Sequence, residues 1–153
     1  MGPRRRGRVR ASPDHRSPPS KQPAGKYVAL HAHSNFSFLD GASLPAEIAT
    51  TAAELGYEAF ALTDHDNVCG AMEFAQACNG LGTRPIAGAE LTVVDGGGDA
   101  DRSPFHLTLL VEDATGWHNL CRLLTEAHAE TRPRPDRDPL PPSLPLESLL
   151  ERS

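Results

Sequence analysis

Tyr-Val-Ala-Leu-His-Ala-His (27–33) is the stretch on which the reading of the fold turns. Its apolar run, with aromatic Tyr27 and β-branched Val28, predicts a strand. Side chains at i and i+2 of a strand share a face, so His31 and His33 can reach one ion together. Tyr27 and Ala29 precede them on that face, while Val28, Leu30 and Ala32 occupy the other. Taken alone, a His-x-His is more commonly a pair of solvated or hydrogen-bonded histidines.

Downstream, the pattern alternates. Ser43 is placed to cap a helix over 44–56, with Pro45 tolerated in its first turn and Gly56 stopping it. Ile48, Ala52 and Leu55 share a face at helical spacing. A second strand is expected over 58–63 and a second helix over 70–80, with Met72, Phe74 and Ala75 facing inward. Strands follow over 84–94 and 105–111. The next helix, over 115–129, sets Trp117, Leu120, Leu124 and His128 at 3–4 spacing. This β-α-β-α-β-β-α order predicts a mostly parallel α/β sheet or barrel, whose chemistry sits in loops at the C-terminal strand ends. Segment 95–104, rich in Gly and Asp, is expected to be a surface loop. Residues 131–145 hold six prolines, too many for an ordinary element. Residues 146–152 could begin one more helix. No internal repeat is visible.

With 153 residues the chain has room for one well-packed domain. No apolar run approaches the roughly 20 residues of a membrane span, and no apolar h-region follows the basic N-terminus, so neither a membrane span nor a secretory signal is expected. Three scattered cysteines, Cys69, Cys78 and Cys121, form no CxxC pair and fit a reducing cytoplasm. The net charge of −5 conceals a division. Residues 1–26 hold eight Lys/Arg and one acid; the rest holds seven basic and nineteen acidic residues. An acidic body repels phosphates and suits a site that gathers carboxylates around cations. Residues 1–25, basic and rich in Pro and Ser, are expected to be a disordered tail, with an Arg-rich stretch able to touch nucleic acid or anionic lipid.

Possible ligands recur at successive strand ends. Asp40 follows His33 in a tight loop with Gly41; Thr63-Asp64-His65-Asp66 ends the second strand; Gly88-Ala89-Glu90 lies in the third; His106 opens the fourth. Singly, each has a plain alternative. Asp64 could cap a turn, Glu90 could face solvent, and His106 could be a satisfied core histidine. Together they form the pattern by which an α/β scaffold assembles a multi-metal site from dispersed sequence.

His31-Ala32-His33-Ser34, Thr63-Asp64-His65, Gly88-Ala89-Glu90 and His106-Leu107-Thr108-Leu109-Leu110 resemble the successive motifs of the polymerase and histidinol phosphatase (PHP) family. The stretches His33-Ser-Asn-Phe-Ser-Phe-Leu-Asp40-Gly41-Ala42-Ser43, Asp64-His-Asp-Asn-Val-Cys-Gly70-Ala71 and Gly116-Trp-His-Asn-Leu-Cys-Arg-Leu-Leu124 are similar to the N-terminal PHP domain of bacterial C-family replicative polymerases. The first of these, with the helix ending Thr125-Glu-Ala-His128, is most similar to the error-prone branch. The resemblance implies a distorted βα barrel, up to three divalent metals (Zn, Mn or Mg) and phosphoester hydrolysis. By position it makes His31, His33, Asp40, His65, Glu90 and His106 metal ligands, with Asp64 ligating or orienting a ligand.

The family's barrel runs further and takes its last ligands from a later His and an Asp-x-His. The expectation is therefore a partial barrel over 26–153, incomplete at the C-terminus. The chain would be an N-terminal piece of an error-prone polymerase, cytoplasmic, partnered by DNA and repair proteins only through the full-length protein. Weak binding of one or two ions and little turnover would follow. The alternatives are a free-standing PHP phosphoesterase acting on a small phosphate ester, and a non-catalytic scaffold. On this reading, light proteolysis removes residues 1–25 first and leaves the circular dichroism of the remainder unchanged.

Overall fold

In a computed structural model of the chain, residues 27–95 and 103–151 are described. The expected tail over 1–25, and most of the expected loop over 95–104, lie outside the described residues. The elements are α1 (Pro45–Glu54), β1 (Ala59–Leu62), α2 (Ala71–Leu81), β2 (Arg84–Val94), β3 (Phe105–Leu110), α3 (Ala114–Ala127), β4 (Leu144–Pro145) and α4 (Leu146–Leu150). None of the described helices is long and apolar enough to cross a membrane.

The long strand β2 organises a mixed α/β sheet. It pairs in parallel with β1 from Ala59↔Arg84 to Leu62↔Ala87, and in parallel with β4 at Val93↔Leu144. On its other side it pairs antiparallel with β3, from Val93↔Phe105 to Gly88↔Leu110. Its side chains alternate between two environments, as the period of two demands. Ala89, Leu91 and Val93 are buried in a core with Leu120, Leu123, Leu124 and Ala127 of α3 and Leu144 of β4. Glu90 and Thr92 project to the opposite face. A second core joins Ala49 of α1, Leu62 of β1, and Phe74 and Cys78 of α2.

Several elements depart from the sequence reading. Residues 27–33 form an extended segment instead of a regular strand. It touches β1 through one parallel bridge, Ala29↔Phe60, and through backbone bonds from Ala61 to Ala29 (2.8 Å) and Thr63 to Ala32 (2.8 Å). The Thr63 hydroxyl takes the Ala32 N–H (3.1 Å), so a side chain occupies a bond that a sheet ladder would use. Ser43 does not cap α1. Leu44 is the N-cap, and its N–H donates to the Glu47 carboxylate at 2.8 Å. The face of α1 turned inward is Pro45, Ala49 and Ala52, and Leu55 is exposed. Gly56 does end the helix. Its φ of 79° carries a left-handed turn in which Tyr57 N–H bonds Ala52 and Gly56 N–H bonds Ala53.

In α2 the inner pair is Phe74 and Cys78, one turn apart, while Met72 is 69% exposed. In α3 the buried face runs through Leu120, Leu123, Leu124 and Ala127, and Trp117 lies at its margin. The proline-rich 131–145 segment does supply an element: Leu144 is fully buried beside Val93. Pro145 is tolerated there because the strand is two residues long and needs few N–H donors.

Two measurements test this packing. Phe74→Ala should cost about 3–5 kcal/mol in urea unfolding, as buried aromatic truncations do, and Met72→Ala less than about 0.5 kcal/mol. Burial pushes the Cys78 thiol up and conceals it. Iodoacetamide should therefore label exposed Cys69 first, Cys121 more slowly, and Cys78 only on unfolding.

Candidate metal centre

The site is built where the ends of β1 and of the 27–33 segment meet β2. Past Leu62 the chain continues beside β2. Glu90 N–H donates to Asp64 (3.1 Å), Asp66 N–H donates to Glu90 (2.8 Å), and His65 forms a parallel bridge with Glu90. On β3, His106 lies opposite Thr92, two residues from Glu90 on the same face. His31 and His33 arrive from the neighbouring segment with both imidazoles on one side, as their spacing predicts.

Glu90 is the point of convergence, its side chain only 12% exposed. One carboxylate oxygen, Oε2, faces His33 Nε2 at 3.0 Å and His31 Nε2 at 3.4 Å. The two Nε2 atoms are 3.0 Å apart. The other oxygen, Oε1, faces His106 Nδ1 at 3.8 Å. The rings of His65 and His106 meet edge to face with centroids 4.3 Å apart. Two sets of donors result, His31–His33–Glu90 and His65–Glu90–His106, each with its ligand atoms within 4.8 Å of one another.

The donors fit a divalent cation. Four ligands about 2.0–2.1 Å from a tetrahedral ion lie about 3.4 Å from one another. The 3.0–3.4 Å triangle of the first set matches that spacing. The second set is wider and would draw inward around an ion. Imidazole and carboxylate are the donors that divalent ions of the zinc and manganese type accept.

Two of the expected ligands belong to neither set. Asp64 is 1% exposed, and its carboxylate is occupied by Ser34 N–H (2.7 Å), Ser34 Oγ (2.8 Å) and Ser37 Oγ (2.8 Å). Its three bonds make it an anchor of the backbone around His33. It holds the loop after His33, and Ser37 Oγ in turn accepts the His65 N–H at 2.9 Å. Asp40 is exposed in that same loop. The loop closes tightly at Gly41, where a Cβ would stand 1.9 Å from the Ser34 carbonyl oxygen. At its tip Phe38 and Leu39 are exposed, and Leu39 takes a φ of 73°.

Sequence reasoning missed the residues that brace this arrangement. Ser34 and Ser37 flank the site, yet serines carry no metal signature. Asp66, beside His65, holds the N–H and hydroxyl of Thr92 with its two carboxylate oxygens, each at 2.8 Å. The alternative of a buried core histidine does not describe His106, whose side chain is half exposed. Nor is Glu90 a solvated strand carboxylate.

The PHP domain family matches residues 29–151. An error-prone DNA polymerase of Symbiobacterium thermophilum is 44% identical over 133 residues, covering 80% of this chain and 12% of that protein. The error-prone DNA polymerase of Mycolicibacterium paratuberculosis is 42% identical over 147 residues, 91% of this chain and 13% of that one. A DNA polymerase III subunit alpha of Treponema pallidum is 42% identical over 111 residues, 68% of this chain and 9% of that one. The chain thus spans a small fraction of the length of these relatives. Among solved structures, a protein assigned as a metal-dependent phosphoesterase from Bifidobacterium adolescentis is similar with a TM-score of 0.55 and 25% identity, over 72% of this chain and 36% of that one. An amidohydrolase from Chromobacterium violaceum gives a TM-score of 0.53 and 31% identity, over 66% and 33%. Fold and sequence agree: this chain belongs to the PHP domain family and is homologous to part of the error-prone DNA polymerases.

Proposed function

We propose that the chain is the PHP module of an error-prone-type DNA polymerase and carries a two-ion phosphoesterase centre on Glu90. The observation that carries this reading is the carboxylate of Glu90, with one oxygen turned to each histidine pair. Divalent ions held there would acidify a water and neutralise charge on a phosphoester. Neutral imidazoles of His31 and His33 would hold one ion and those of His65 and His106 the other, with Glu90 shared. The imidazole-rich sets favour Zn over Mg, which prefers oxygen donors. Asp64 serves by fixing the loop after His33, and Asp40 stands outside both sets. A 3′ end of DNA is the substrate that membership of a polymerase would supply, in a cytoplasmic setting with DNA and repair proteins as partners through the longer protein.

The similarity to the Bifidobacterium phosphoesterase supports a second reading, a small phosphate ester as substrate. The two differ in preference. The first expects faster release of a 3′-terminal nucleotide from an oligonucleotide than of phosphate from small monoesters. With three-donor sets, turnover by this chain should be slow, so metal binding is the primary measurement. Calorimetric titration with Zn²⁺ or Mn²⁺ should give two ions per chain. Glu90→Gln should weaken both, and His33→Ala one of them, by about 10-fold or more for a lost ligand or its close partner. A chain that takes up no ion, or whose Glu90→Gln variant binds as well as the wild type, would overturn the metal-centre reading.

A further inference from the structure

We propose that His128, at the far end of α3, is a positioning residue for the His65–Glu90–His106 half of the centre. The inference rests on the metal-centre reading and adds to it a residue that ligates nothing. Its Nε2 lies 2.7 Å from the backbone oxygen of Asp66, to which the protonated ring nitrogen donates. Asp66 is the residue that follows His65, and it is held in an unusual conformation. Its φ is 52°, in the left-handed region, which Asp enters more readily than most non-glycine residues but still uncommonly. Such a conformation persists only where the surroundings fix it.

Here they fix it from three directions. The Asp66 N–H donates to the Glu90 carbonyl at 2.8 Å. The carboxylate accepts from Thr92 N–H and Thr92 Oγ1, both at 2.8 Å. The carbonyl accepts from His128. The first two sets of bonds come from β2, the strand that carries Glu90. The third is supplied from outside the sheet, by a helix whose Leu120, Leu123, Leu124 and Ala127 are packed in the core. His128 occupies the C-cap of that helix, so its ring is anchored to a rigid element and not to a loop. Without it Asp66 loses one of its three anchors, the peptide after it gains freedom, and His65 is held less firmly beside Glu90 and His106. His31 and His33 depend instead on the Asp64–Ser34 bonds and on the edge of β1, and His128 touches none of these.

The selectivity between the two halves is the measurable consequence. Co²⁺ added to the 153-residue chain reports each ion through its ligand-field absorption. His33→Ala and His106→Ala assign the bands to the two halves. His128→Ala should weaken Co²⁺ binding at the His65–Glu90–His106 half by about 10–100-fold, as loss of a supporting partner does, and leave the other half within about twofold. His128→Gln places an amide N–H at similar reach and should restore most of the loss. Leu124→Ala weakens the same helix while keeping the His128 side chain, so it should lower the melting temperature and leave both affinities in place. The inference fails if His128→Ala binds Co²⁺ at both halves as the wild type does. It also fails if Leu124→Ala reproduces the His128→Ala loss, because helix stability alone would then be responsible. A wild-type chain that binds no Co²⁺ removes both this inference and the metal-centre reading. Unchanged His128→Ala binding beside a wild type with two bound ions removes this inference alone.

Discussion

The buried carboxylate of Asp64 is the constraint on which the site depends. A carboxylate taken out of water is costly unless its oxygens are hydrogen-bonded. Here the bonds come from Ser34 and Ser37, 30 and 27 residues away in sequence. Each such bond to a charged acceptor contributes about 1.5–3 kcal/mol. The three bonds tie the loop after His33 to the end of β1 in one defined orientation, which non-directional apolar contact would not do. Because Ser37 also accepts the His65 N–H, one carboxylate fixes the chain beside both His33 and His65.

Strand β2 supplies the complementary half. Its odd-numbered residues from Ala89 to Val93 are sealed against α3, and this burial fixes the strand's rotation about its own axis. Glu90 has no freedom to turn away from the histidines, since doing so would expose Leu91. Removing each buried leucine from water stabilises by about 1.5–3 kcal/mol, so the core sets the orientation of the polar face. The same rotation brings Thr92 under Asp66 and sets His106, across the ladder on β3, on the side of Glu90. Packing on one face of a sheet thus determines chemistry on the other.

Four histidines and one carboxylate in such close contact form an arrangement that a cation would strengthen. The imidazoles meet through the His31–His33 bond, the His65–His106 ring contact and their approach to Glu90 and Asp66. On the proposed reading a divalent ion would exchange these contacts for coordinate bonds, with backbone positions fixed by Asp64, Asp66 and β2 and the wider second set drawing inward. Binding and stability are then linked, and any ligand that prefers the folded chain raises its apparent stability.

The sequence by itself determined the donor inventory and the alternation of elements. His31-Ala-His33 declared a shared face through the period of two, and Glu90 and His106 were legible because strands carry their own register signal. The spans of β2 and β3 follow directly from apolar runs bounded by turn residues. Tertiary structure alone decided which inner positions of α1 and α2 are buried, because helical periodicity fixes a face but not the neighbour it meets: Ala49 replaced Leu55, and Cys78 replaced Met72. It also decided that 27–33 runs as an extended edge and that Leu144, amid prolines, seals the core. The division of labour among the acids was equally beyond the sequence. Asp64, Asp66 and Glu90 carry the same functional group, and what separates the carboxylate that faces the histidines from the two that brace the chain is whether nearby N–H and O–H groups already occupy its oxygens. Those donors, Ser34, Ser37 and Thr92, come from remote segments that only folding brings within 3 Å of the carboxylates.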